Sequence, residues 1–136
     1  MMEKPELSKK SKYWIPRHRY YELKHFCLQY PLWKKHLAII SDWPNCIPEE
    51  SRVKHHTPQR PTENIIFKKM QLKTNMDMVE TVANQVDPVI GPYIFRGVTE
   101  GRTYENLRTN FNIPCNRAEY YEMYREFFYL LSEARQ

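Results

Sequence analysis

From Tyr120 onward the large apolar residues of this chain recur at steps of three and four: Tyr120, Tyr124, Phe127, Leu131, Ala134. At about 100° per residue these positions fall on one narrow side of an α-helix, with Tyr121, Met123, Phe128 and Leu130 flanking it. A strand would need strict alternation, which is missing. Asn116 precedes the run with Glu119 three residues on, the spacing of a capping box that starts a helix. Just upstream, Thr103 is placed to cap a two-turn helix carrying Leu107 and Phe111, and Ile113 then plugs the turn. Pro114 prevents the first helix from running into the second.

The rest of the chain agrees with a helical reading. Only 3 glycines accompany 10 prolines in 136 residues, which leaves little material for tight hairpins or phosphate-cradling loops. The expected fold class is therefore all-α: a small helical bundle with a C-terminal helix-turn-helix and a long Pro-rich loop. Tyr20, Leu23, Phe26, Cys27 and Tyr30 predict one helix, and Pro31 fits the first turn of a second that carries Trp33, Leu37 and Ile40. Pro44, Pro48, Pro58 and Pro61 mark a linker or ordered loop. Beyond it, Ile65, Leu72, Val79 and Val86 fall at sevens, joined by Met76 and Ala83, with Lys69 interrupting; this is a packing stripe of a long helix. Asp87-Pro88 predicts the next helix start, which Gly91-Pro92 could delay, and Gly101 its end. Four segments result: a flexible basic tail over 1–16, whose Trp14 and Ile15 could anchor it, a helical pair over 17–42, the Pro-rich stretch over 43–63, and a helical domain over 64–136 with its helix-turn-helix near 103–134.

The net charge is +5, and it is unevenly spread. Residues 1–70 hold 14 Lys/Arg against 7 Asp/Glu, whereas residues 87–136 hold 6 against 7. A basic N-terminal half suits phosphate contact, with Lys9, Lys10, Lys12, Arg17 and Arg19 as candidates and Arg102 and Arg108 further on. A solvated tail explains the same lysines. In a helix-turn-helix the second helix offers its first turns to the major groove, which makes Asn116, Arg117, Ala118, Tyr121 and Arg125 the candidate base-reading residues. An ordinary αα-hairpin gives the same periodicity. Glu119, Glu122, Glu126 and Glu133 on the exposed side of that helix confine any DNA contact to its start, or suit a basic protein partner.

No catalytic motif is visible, and an enzyme is the least expected class. Cys27, Cys46 and Cys115 contain no CxxC pair, so the thiols read as reduced. His55-His56 with Cys46 lacks a second ligand pair at metal spacing and reads as a solvated loop. Neither metal nor cofactor is expected. The longest apolar runs are a few residues, and Lys9-Lys10-Ser11-Lys12 stands where a signal peptide would carry its apolar region. A soluble intracellular protein is expected.

The stretch TEGRTYENLRTNFNIPCNRAEYYEMYREFFYLLSEAR resembles the phage and prophage transcriptional regulators of the RinA and ArpU kind, whose C-terminal part is similar to sigma factor region 4. The shared pattern spans roughly residues 87–136: Tyr104-Glu-Asn-Leu107, the buried Phe111 and Ile113, then Tyr120-Tyr121 and Tyr124. The opening YYELKHFCLQYPLWKKHL resembles clostridial phage proteins placed in that group. The resemblance implies late-gene control in a bacterial cytoplasm through double-stranded DNA, with RNA polymerase as a second partner. Two other classes share these features: a helical module that contacts polymerase, and a DNA-packaging or structural phage component working as a homo-oligomer.

Overall fold

The computed structural model of the chain describes residues 12–41 and 61–136, and among them every regular element is helical. In chain order these are α1 (Arg17–Leu28), α2 (Tyr30–Ser41), α3 (Pro61–Val86), α4 (Gly91–Glu100), α5 (Tyr104–Phe111) and α6 (Arg117–Ala134). The expected all-α bundle is observed. Lys9, Lys10, Cys46, the His55-His56 pair and the Pro-rich stretch up to residue 60 lie outside the described residues.

The kink between α1 and α2 has a local cause. Pro31 has no N–H to donate back to Cys27, so the helical ladder is interrupted there and Gln29 bridges it, donating its own N–H to Phe26 and Cys27 while accepting from Trp33. Tyr20, Leu23, Phe26 and Cys27 of α1 are buried, as are Tyr30 and Trp33 of α2. The segment before α1 is docked: Ile15 is buried, the Tyr13 ring lies 5.8 Å from that of Tyr129, and Trp14 is 37% exposed.

Helix α3 starts at Pro61, inside the stretch expected to be linker, because proline at a first helical position forfeits only an N–H that has no partner anyway. Its stripe packs within the chain, against α2, α4 and α6. Leu72, Val79 and Ala83 are buried, Met76 and Val86 half-buried, and Val82, which the heptad spacing omits, is buried too. The Tyr30 hydroxyl donates to the Glu80 carboxylate, tying α2 to α3.

Asp87 does not start α4. Its Oδ1 accepts the N–H groups of Val89 and Ile90 at 2.7 and 2.9 Å, closing a turn, and the helix begins only at Gly91 with proline in its first positions. Gly101 ends it in the left-handed region at φ 72°, as expected. Thr103 caps α5 by accepting from the Asn106 N–H. Asn116 and Glu119 form the full capping box of α6.

Helices α4 and α6 cross at Gly97. A Cβ built there would overlap the hydroxyl of Tyr120, a buried ring whose Oη has no hydrogen-bond partner among the described residues. Burial pushes that hydroxyl's pKa far up, which favours the neutral ring. Gly97→Ala is therefore expected to cost about 1–3 kcal/mol by overpacking, whereas Tyr120→Phe alone should be close to neutral because it deletes an unpaired polar atom. The double variant should recover most of the loss in denaturant unfolding. Additive costs would contradict this account of the crossing.

Candidate nucleic-acid interface

The last two helices are locked together by polar contacts at their near ends. The turn between them runs over residues 112–116; Asn112 takes the left-handed conformation at φ 58° and donates its N–H to Arg108 and Leu107, closing α5, while Ile113 is buried beneath. The Tyr104 hydroxyl donates to the Cys115 carbonyl at 2.6 Å, and the Tyr104 N–H donates to the Tyr121 hydroxyl at 3.3 Å. With the Tyr104 and Tyr120 rings 5.8 Å apart, the start of α5 is clamped to the first turns of α6.

One side of α6 then disappears into the bundle. Tyr120, Tyr124, Phe127, Phe128 and Leu131 are buried, and the hydroxyls of Tyr20 and Tyr124 share a 3.0 Å hydrogen bond that joins α1 to α6. Ala134, placed on this face by periodicity, is exposed instead; Phe128 takes the core position because α1 supplies Tyr20 edge-on at 5.2 Å.

The candidate base-reading residues fare differently. Asn116 is exposed, but its Oδ1 accepts the Glu119 N–H at 2.8 Å, so the cap consumes the oxygen a bidentate adenine contact would need. Arg117 is exposed, ion-paired to Glu105, with its guanidinium 5.2 Å over the Tyr121 ring. Ala118 is exposed and Tyr121 half-buried. Arg125 is half-buried and paired with Glu122 at 3.1 Å. Arg117, Ala118, Tyr121 and Arg125 thus lie within about 100° of one another on one flank of the first turns of α6, beside its buried side.

The phosphate candidates also separate. Arg19 is structural: its Nε and a terminal nitrogen donate to the Ser132 hydroxyl and carbonyl at 3.0 and 2.9 Å, bolting α1 to α6. Arg102 is half-buried, held by Glu100 and by Asn106 at 2.7 Å against the Phe111 ring. Arg108 is exposed in the last turn of α5, and Arg17 and Lys12 are exposed on the α1 side. Sequence reasoning overlooked Lys24. Its Nζ lies 5.9 Å from the Tyr21 ring, over which Arg17 also sits at 5.9 Å, so Arg17, Tyr21 and Lys24 form a basic-aromatic row at helical spacing. Tilted or edge-on ring contacts run from Tyr21 to Tyr20, from Tyr20 to Tyr124 and from Tyr124 to Tyr121, which links this row to the first turns of α6.

The surface is electrostatically mixed. Glu105, Glu119 and Glu122 are exposed around the two arginines. Solvent-exposed ion pairs are worth at most about 1 kcal/mol, so an incoming phosphate can take either guanidinium at small cost, while the glutamates oppose close approach of the backbone. Among the described residues no three or more His, Cys, Asp or Glu side chains converge as a metal site. Nor is any described helix long and apolar enough to cross a membrane.

Cys115, beside the cap, has its thiol pKa raised by burial first and then by the negative charges of Glu119 and Asp87. Glu119→Gln keeps a capping-box residue while removing one of those charges. The Cys115 pKa should fall, the thiolate fraction at a fixed mildly alkaline pH should rise, and alkylation followed by peptide mass mapping should be faster at Cys115; an unchanged rate would contradict the assignment. Buried Cys27 should stay unmodified until the protein unfolds. Compared with known proteins, the chain matches no family model, no curated protein and no solved structure.

Proposed function

We propose that the chain is a DNA-binding transcriptional regulator of the phage and prophage kind that its C-terminal motif resembles, working in a bacterial cytoplasm. Helices α5 and α6 act as the helix-turn-helix. Arg117 and Arg125 read base edges from the first turns of α6, with Ala118 and Tyr121 supplying apolar contact, and Arg108, Arg17, Lys24 and Lys12 hold phosphates on either side. Asn116 contributes by capping the helix rather than by reading a base.

The observation that supports this reading best is the juxtaposition of two features. One is a capped helix whose aromatic side is buried and whose starting turns are open to solvent. The other is the Arg17–Tyr21–Lys24 row that α1 brings alongside through the Tyr20–Tyr124 contact. Neither alone argues for nucleic acid. The exposed glutamates of α6 favour a second reading, a module that meets a basic surface of RNA polymerase.

Duplex binding followed by fluorescence anisotropy separates the two. A chain using about six phosphate contacts should lose roughly three decades of affinity between about 50 and 200 mM salt. Arg117→Ala should erode discrimination between selected and random duplexes, whereas Lys24→Ala should weaken both alike and flatten the salt slope. Equal effects of Arg117→Ala on selected and random DNA would contradict base reading. Absence of binding at low salt, with co-purification of polymerase, would establish the second reading in its place.

A further inference from the structure

Helix α3 has two apolar faces, and the core uses only one. Among its described side chains the first that is buried is Leu72, and none of residues 63–71 is buried. Ile65 and Lys69, on the same side as Leu72, are half-buried, and α2 packs along α3. On its opposite side Ile66, Phe67 and Met70 are 53, 69 and 61% exposed. At about 100° per residue the three lie within about 100° of one another, on the side of the helix away from Leu72, Val79 and Ala83. Three large apolar side chains side by side on one helix face differ from the scattered exposure normal for a surface.

We propose that this stripe is the seam of a two-fold dimer, in which α3 of one protomer packs antiparallel on α3 of its partner. A two-fold seam must be complementary to itself, and the charges at the ends of the stripe meet that condition. Setting Ile66 against the partner's Met70 brings the two Phe67 rings together near the axis. The same register sets Glu63 against the partner's Lys73 at both ends of the seam. A parallel pairing would oppose Lys73 to the partner's Lys73, and like to like at every other charge. Lys68 projects from another side of the helix and is left outside the contact. With three large side chains from each protomer the seam is small, so the dimer is expected to be weak, with a dissociation constant on the order of micromolar.

Sedimentation velocity on the full chain across low to high micromolar concentration tests this. The wild type should show a reversible monomer–dimer equilibrium. Phe67→Glu should be monomeric at every concentration, with unchanged helicity and thermal midpoint when dilute, because Phe67 lies outside the core. Glu63→Lys should weaken the dimer and Glu63→Lys combined with Lys73→Glu should restore it, a reciprocal effect that a merely structural role would not produce. A wild type that stays monomeric would overturn the proposal, as would a Phe67→Glu dimer or a charge swap without rescue. A lowered thermal midpoint for dilute Phe67→Glu would also overturn it, because the stripe would then be covered within its own chain.

Discussion

The burial of four aromatic rings along one side of α6 is the constraint on which the remainder of the structure depends. Tyr120, Tyr124, Phe127 and Phe128 each remove on the order of 150–250 Å² from water, enough to outweigh any exposed ion pair on the opposite side of the helix. Their edge-on contacts with one another and with Tyr20 leave a single rotational setting for α6 about its axis. Once that setting is fixed, Ala118 is turned off the buried side, whereas Arg117 shares the azimuth of the buried rings and is exposed because it stands at the open end of the helix. Tyr104 completes the arrangement, because its two hydrogen bonds hold α5 against the start of α6 and leave the five-residue turn little freedom.

Helix α1 is part of the same apparatus rather than a separate module. Arg19 reaches Ser132 from 113 positions away in sequence, and Tyr20 supplies the hydroxyl partner for Tyr124. The charge of the two halves is thereby brought together: the basic row of α1 stands beside a helix whose exposed side is acidic. A DNA-binding reading and a polymerase-binding reading draw on opposite signs of this one surface.

Much of this was legible in sequence where the determining chemistry is local. The Thr103 and Asn116–Glu119 caps and the Gly101 stop each depend on three or four consecutive residues, and each stands where its spacing indicated. The misreadings arise where a distant partner decides. Asp87 has the chemistry of a helix cap, yet its carboxylate closes a turn because the helix waits for Gly91. Ala134 loses the core position to Phe128, since the buried arc of α6 is set by the helices it meets rather than by its own periodicity. Arg19 is a phosphate candidate by its charge, and the structure adds what sequence does not show, that Ser132 holds its guanidinium. The Arg17–Tyr21–Lys24 row could have been found by asking which cations share helical spacing with a tyrosine.

The central claim is that the open first turns of α6 and the neighbouring side of α1 form one nucleic-acid surface. Amide chemical-shift mapping during titration with duplex DNA tests it most directly. The account predicts shifts concentrated at Arg117, Ala118, Tyr121 and Arg125 together with Arg17, Tyr21 and Lys24. Shifts confined to other faces of the bundle, or none at low salt with the fold intact, would contradict it.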